Sequence, residues 1–322
     1  MLCLGIESTA HTFGVGIVSS EKSVLSNEKV SYKTHEGGMI PAKVADFLVE
    51  NCQTPFHDAL KKANLSIKDI DLISFSQGPG MGHSLRVGAV FARALSSRYN
   101  IPIIGVNHCI AHLEIGKMLT PAKDPVLLYV SGANTQIIAF EAGKYKIFGE
   151  SIDMGVGNFI DAFARYLKLG FPGGPKVEEF AKQGHNYIPL PYVVKGMDVS
   201  FGGILTNLKK KYDSKKYTLE NLCFSMQETV FAMLLEVTER AMAHCEKDEL
   251  LLGGGVACNT RLSEMAKTMC FQRGAKCFIL ENQYNVDNPA MIAWLGIKEY
   301  LCGKRQNISQ TQIRPYWRTD EV

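Results

Sequence analysis

Leu4-Gly5-Ile6-Glu7-Ser8-Thr9-Ala10-His11-Thr12-Phe13-Gly14-Val15-Gly16-Ile17-Val18 reads as an apolar strand, a turn of small hydroxyl-bearing residues and a second apolar strand. That order predicts a β-hairpin. The theme returns about 120 residues later. There Val126-Leu127-Leu128-Tyr129-Val130 runs into Ser131-Gly132-Ala133-Asn134-Thr135, and a second strand follows from Gln136 to Phe140. A recurring strand, small-residue turn and strand predict a duplicated α/β fold of two lobes with a ligand cleft between them. The linker from Pro121 to Pro125 sets the boundary. It gives an N-terminal lobe over residues 1–120 and a C-terminal lobe over 121–322. The last helix, around 287–303, has the option of packing back on the first lobe.

Outward from the hairpin, Ser23 to Val30 reads as a third strand. The loop Gly37-Gly38-Met39-Ile40-Pro41 closes on a proline suited to the first position of a helix. That helix takes its apolar face from Ala42, Ala45, Leu48 and Val49. A strand over Ile70–Ser76 enters the glycine-rich turn Gln77-Gly78-Pro79-Gly80-Met81-Gly82, and a helix begins near Ser84. The turn suits either close approach to a phosphate or carboxylate, or a tight strand-to-helix connection with no ligand. It is not a Walker A loop, because no Gly-Lys-Ser/Thr follows. In the second half, Phe159, Ala162, Phe163, Tyr166 and Leu167 line a helix, residues 186–204 look irregular, and Glu220–Cys245 is the longest helical stretch.

The composition, 46% hydrophobic and 21% charged over 322 residues, is that of an ordinary globular chain. No apolar run is long enough to span a membrane, and the first residues lack a signal peptide's basic start and cleavage site. Nine scattered cysteines without C-x-x-C pairs argue against a disulfide framework and for a reducing cytoplasm. A net charge of +3 does not by itself imply nucleic acid.

The sharpest chemical signal is Asn107-His108-Cys109-Ile110-Ala111-His112. Asn107 is a good N-cap after the strand-like run from Ile101 to Val106. His108 and His112 then lie one turn apart on one helix face, where two imidazoles can grip one divalent ion. Asp287 is a candidate third ligand, or else the N-cap of the last helix. Other stretches carry two readings each. The Ser8–Thr9 turn suits plain turn chemistry or a phosphate site. Glu178 and Glu179 suit a helix dipole or ribose hydroxyls. Gly253-Gly254-Gly255 leaves bare backbone for a planar group, with Asn259 placed to meet a base edge or ribose. Lys209-Lys210-Lys211-Tyr212-Asp213-Ser214-Lys215-Lys216-Tyr217 suits a solvated face or a phosphate backbone.

Taken together, these blocks resemble one family. Gly5–Thr12, Ser76–Gly80, Asn107–His112, Tyr129–Thr135, Gly173-Gly174-Pro175, Gly253–Asn259 and Asp287-Asn288 occur in the order of the universal tRNA threonylcarbamoyladenosine synthesis proteins. The Ser-Gly-Ala-Asn-Thr form is similar to the archaeal and eukaryotic branch, the catalytic subunit of the KEOPS complex. The resemblance implies the actin, sugar-kinase and heat-shock ATPase fold. It implies iron, or else zinc, on His108, His112 and Asp287, with Tyr129 approaching the ion. It implies an adenine nucleotide of the ATP/AMP type on Tyr129, Val130, Ser131, Gly132, Ala133 and Asn134. Asp161 and Glu178 would meet ribose hydroxyls, Gly174 the sugar, and Asn259 the nucleoside from the other side. Implied partners are tRNA and the KEOPS subunits, including an atypical small protein kinase and small accessory proteins, with no membrane. One departure stands out: the family's histidine near Pro41 or in the next helix is absent, so no role for it transfers.

The implied reaction is transfer of threonylcarbamoyl from threonylcarbamoyl-AMP to N6 of adenosine 37 in tRNAs reading codons that begin with A. His11 is the candidate proton acceptor. Three rivals compete. A small-molecule kinase of the same superfold needs a catalytic acid and Mg²⁺ rather than a His/His/Asp set. A metalloprotease lacks its H-E-x-x-H glutamate, since position 109 is Cys. A nucleotide-gated scaffold predicts nucleotide binding without transfer.

Overall fold

The computed structural model describes residues 1–34 and 39–322. The glycines of the loop expected before Pro41, Gly37 and Gly38, lie outside the described residues. In chain order the elements are β1 (Leu2–Glu7), β2 (Thr12–Ser19), β3 (Val24–Ser31), α1 (Pro41–Asn51), α2 (Gln53–Ala63), β4 (Leu72–Gly78), α3 (Gly82–Tyr99), β5 (Ile103–Asn107) and α4 (His108–Leu119). Next come β6 (Val126–Val130), β7 (Thr135–Glu141), β8 (Lys144–Glu150), α5 (Val156–Tyr166), α6 (Gly174–Ala181), β9 (Val194–Lys195), β10 (Asp198–Val199) and α7 (Gly202–Asp213). The chain ends through α8 (Leu219–His244), β11 (Glu249–Gly253), α9 (Thr260–Arg273), β12 (Lys276–Ile279), α10 (Asn282–Asn285) and α11 (Pro289–Leu301).

The described residues form two compact units: 1–32, 39–121 and 286–322 make the first, and 33–34 with 122–285 the second. From Val286 on, the last stretch of the expected second lobe of 121–322 belongs to the first unit, the option that the sequence left to its last helix. The reason lies in α11, whose residues from Pro289 to Ile297 are all buried. A helix apolar all round needs cover on every side. It lies on β1, β2 and β4 and beside α4.

The first unit's sheet runs β3-β2-β1-β4-β5, with β1, β4 and β5 parallel and β2 and β3 antiparallel. Glu7, Gly78 and Asn107 therefore end neighbouring parallel strands on one edge of the sheet, the edge where α/β folds build their sites. Its core is Leu4, Ile6, Phe13, Val15, Ile17, Ile73 and Phe75 with Val44 and Leu48 of α1. The face of α1 is set by Val44 and Leu48; Ala42 and Val49 are exposed, contrary to the expectation. Gly5 explains how α11 sits so low. A Cβ there would lie 2.3 Å from the Pro289 carbonyl oxygen and 2.4 Å from the Ala293 nitrogen. The second close approach is at Gly78, φ +159°, where a Cβ would come 1.9 Å from the Arg314 carbonyl oxygen. What that glycine-rich turn approaches is the chain's own C-terminal segment. Gly80 N donates to Pro315 O at 3.1 Å and Met81 N to Thr9 O at 2.7 Å, so those amides already have acceptors.

The second unit repeats the scheme as β12-β11-β6-β7-β8. Its core centres on α8, with Val230, Phe231, Leu234 and Val237 packed with Phe159, Phe163 and Phe201. The face of α5 uses Val156, Phe159, Ile160, Phe163 and Ala164; Tyr166 is exposed rather than packed inside. The region expected to be irregular contains the small β9–β10 pair and the start of α7. Asp153 caps that start: its carboxylate accepts from Phe201 N and Gly202 N. Among the described residues no helix is long and apolar enough to cross a membrane.

Candidate metal centre

All three expected ligands fall in the first unit. Asn107 caps α4 by accepting from Cys109 N at 2.9 Å and Ile110 N at 3.3 Å. This cap fixes where the helix starts and so how His108 and His112 project from its first turn. Both are buried, with rings 4.9 Å apart and nearly perpendicular. Asp287 comes from the turn before α11. It is not the N-cap: Asn288 takes that role, accepting from Met291 N at 3.1 Å. The Asp287 carboxylate is thereby left to the histidines, and Lys29 Nζ holds its backbone oxygen at 3.0 Å.

Asp287 Oδ1 lies 3.3 Å from His108 Nε2 and 3.6 Å from His112 Nε2. Ligands about 2.1 Å from one ion sit about 3.0–3.5 Å apart. The three ligand atoms lie within 4.8 Å of one another. Two imidazole nitrogens and one carboxylate oxygen are a donor set that iron and zinc both accept. The residues fit a divalent ion.

Behind the ligands stands Glu7, which sequence reading had missed. Its Oε2 accepts from His108 Nδ1 at 3.0 Å, and its Oε1 accepts from Thr9 N at 2.7 Å and from the Thr9 hydroxyl. A carboxylate can only accept, so Nδ1 carries a hydrogen toward Glu7, and Nε2, facing Asp287, is the nitrogen that would meet an ion. Burial pulls the His108 pKa down, but Glu7 and Asp287 together raise it well above the usual imidazole range. Burial lowers that of His112. Burial alone would raise the Asp287 pKa; His108 and His112 hold it well below the usual carboxylate range. An arriving cation must displace the His108 proton, so metal affinity falls as pH falls. Replacing Glu7 by Gln is expected to weaken metal binding by about 10–100-fold with the fold retained. Competition titration against a chelator measures this; an unchanged affinity would remove Glu7 from the site.

The Ser8–Thr9 turn serves this arrangement. Ser8 Oγ donates to Ser84 O at 2.8 Å, and Ser8 N donates to Ser76 Oγ at 3.0 Å. His11 is half-buried at the start of β2, with its carbonyl accepting from Tyr32 N at 2.8 Å. From the same block it is Glu7 and Thr9 that reach His108.

The remaining candidates are in the second unit. Tyr129 and Val130 are buried at the end of β6, opposite Gln136 and Thr135. Ser131-Gly132-Ala133-Asn134 forms the following turn, with Ser131 N donating to Asn134 O at 2.9 Å and Gly132 and Ala133 exposed. Asp161 accepts from Gly173 N at 2.8 Å, fixing the turn before Gly174. Glu178 accepts from Thr260 N at 3.1 Å and Thr260 Oγ1 at 2.5 Å. Burial tends to raise the Glu178 pKa, but Thr260 and Lys182 lower it overall. Asn259 is the N-cap of α9, accepting from Arg261 N and Leu262 N, and its amide donates to Gln227 Oε1 at 2.7 Å. Its side chain is committed to shaping the turn. Of the three glycines before it, Gly254 is closed in by Val130, while Gly255 faces open space. Glu178, Gln227, Thr260 and Arg261 line a cavity of about 290 Å³.

The two five-stranded sheets, the His/His/Asp cluster that can hold a divalent ion and the family match below make this a metal-dependent transferase on an α/β fold related to the actin, heat-shock ATPase and sugar-kinase superfamily. Solved structures at low identity carry the fold. The (R)-2-hydroxyglutaryl-CoA dehydratase component A of Acidaminococcus fermentans aligns with TM-score 0.60 at 12% identity, over 94% of this chain and 99% of that one. HypF of T. kodakarensis aligns with TM-score 0.65 at 13% identity, over 94% of this chain and 48% of that one. The chain belongs to the TsaD family, tRNA N6-adenosine threonylcarbamoyltransferase, whose profile matches residues 23–294. The tRNA N6-adenosine threonylcarbamoyltransferase of Thermococcus sibiricus is 53% identical over all of this chain and 99% of its own length. A Methanocaldococcus jannaschii protein described as "Probable bifunctional tRNA threonylcarbamoyladenosine biosynthesis protein" is 49% identical over all of this chain and 60% of its own length. The activity is transfer of threonylcarbamoyl to N6 of adenosine in tRNA.

Proposed function

We propose that the donor is threonylcarbamoyl-AMP and the acceptor is N6 of adenosine 37 in tRNAs reading codons that begin with A. The observation that carries this reading is the His108/His112/Asp287 cluster, two buried imidazoles and a half-buried carboxylate, with Glu7 behind it. The acceptor nitrogen forms a bond to the carbamoyl carbon and loses a proton. The bond from that carbon to the phosphate oxygen breaks, and AMP leaves with the electron pair. Iron, or else zinc, bound by the cluster supplies Lewis acidity toward the threonylcarbamoyl group.

The chain's own residues position the reactants. Glu7 and Thr9 hold the His108 ring. The Ser131–Asn134 turn offers backbone donors to phosphate, and Tyr129 and Val130 set its base. Asp161 and Glu178 accept from ribose hydroxyls, with Gly174 leaving room for the sugar. Asn259 acts by holding the Gly253–Asn259 turn. His11 is the proposed proton acceptor, and Tyr129 the proposed further neighbour of the ion. The proposed setting is the cytoplasm, in a KEOPS-type assembly with a small atypical kinase and small accessory proteins.

The deciding assay supplies pre-made threonylcarbamoyl-AMP, labelled in threonine, and unmodified tRNA, with and without partner proteins. Label on adenosine 37 is expected. Absence of label from a chain that holds metal and nucleotide overturns the proposal.

A further inference from the structure

The basic run Lys209–Tyr217 takes no part in the chemistry above, yet the structure organises it closely. It lies on α7 and the turn after it, next to the end of α5. The Tyr166 hydroxyl donates to the Asp213 carboxylate at 2.7 Å, and its ring meets that of Tyr212 edge-on at 6.2 Å. Three ammonium groups rest on tyrosine faces: Lys209 on Tyr166 at 5.1 Å, Lys211 on Tyr217 at 5.0 Å and Lys215 on Tyr212 at 4.6 Å. With exposed Arg165 and Lys168 at the end of α5, residues 165–168 and 209–217 hold seven cations and one carboxylate. That carboxylate, Asp213, is engaged by Tyr166.

Among the described residues, no carboxylate forms an ion pair with any of the seven, whereas Lys62, Lys117, Lys176 and Lys182 each pair with an acid. A face kept only for solvation leaves its ammonium groups loose in water. Here tyrosine rings seat three of them without neutralising them. Fixed, uncompensated cations interleaved with aromatic rings match a polyanionic backbone that carries planar bases. The whole chain has a formal charge of only +3, so this concentration is local. We propose that α7, the turn after it and the end of α5 bind the phosphate backbone of the tRNA substrate. The proposal rests on the tRNA-transfer reading above.

The test is tRNA affinity of the full chain as a function of salt. The variant Lys210→Gln/Lys215→Gln/Lys216→Gln alters three exposed side chains outside the transfer site. Its dissociation constant is expected to rise about tenfold at ~0.1 M salt, and the slope of log affinity against log salt to shrink by about 2–3. Thermal stability and the transfer rate at saturating tRNA stay unchanged. A control, Lys61→Gln/Lys62→Gln/Lys68→Gln, keeps the wild-type affinity and slope. Unchanged affinity and slope in the first variant, or an equal loss in both, overturns the proposal. A wild-type chain that binds no tRNA at all overturns the transfer reading with it, which separates the two failures.

Discussion

A His108→Ala/His112→Ala protein is expected to hold no iron or zinc and to transfer threonylcarbamoyl at least about a thousand-fold more slowly than wild type. Lewis-acid stabilisation of developing charge is worth several kcal/mol, and about 4 kcal/mol corresponds to a factor of about a thousand. The loss is not additive between the histidines, since both serve one ion. The double variant also leaves Glu7 and Asp287 without the imidazoles that separate and compensate them. A drop in thermal stability therefore accompanies the loss, and circular dichroism must show that the fold survives. Metal content by elemental analysis and label transfer to tRNA are read on the same sample. A variant that keeps its metal, or transfers within tenfold of wild type, shows that the cluster is not the centre.

The second large effect is structural. Gly5→Ala is expected to destabilise the first unit by about 3 kcal/mol, lowering Tm by roughly 5–10 °C. The added methyl meets the Pro289 carbonyl at 2.3 Å, the Ala293 nitrogen at 2.4 Å and the Ala293 Cβ at 2.8 Å. Two of the three obstacles are helix backbone, which cannot swing aside as a long side chain would. Helix α11 must lift, and Asp287, two residues before it, moves away from the histidines. Metal affinity and stability should fall together. Gly203→Ala is the contrast, with open space around the new methyl and a helical position where alanine is favoured. Calorimetry on both variants decides: a Gly5→Ala protein as stable as wild type would mean that the contact of β1 with α11 is not tight.

Much of this was legible in the chain itself. Both hairpins announced themselves through alternating apolar residues and small-residue turns. His108 and His112 announced a metal through their one-turn spacing after a capping Asn107. Glu7 was hidden because its role depends on strand order. It meets His108 only because β1 and β5 flank β4 in parallel, and no local pattern encodes that adjacency. Asp287 taken alone reads more readily as a cap than as a ligand, and only the Asn288 cap settles which of the two neighbours is committed. The sequence left open which lobe takes the last helix for a similar reason. An all-apolar helix does not say which core it enters; the answer lies in the missing side chains of Gly5, Gly14 and Gly16, which all pack against α11. Apolar spacing also misled on α1, where Val49 fits the periodicity yet stands in solvent.

The return of residues 286–322 to the first unit has a consequence for the order of events during synthesis. The histidines leave the ribosome about 175 residues before the third ligand, a wait of about 9–35 s at ordinary translation rates. Throughout that interval β1 lacks the helix that covers it, and the two imidazoles lack Asp287. The second unit is synthesised whole in the meantime. Capture of the ion therefore waits for residue 287, after the second unit has been made. A polypeptide released early keeps its second unit but has no complete metal site to load.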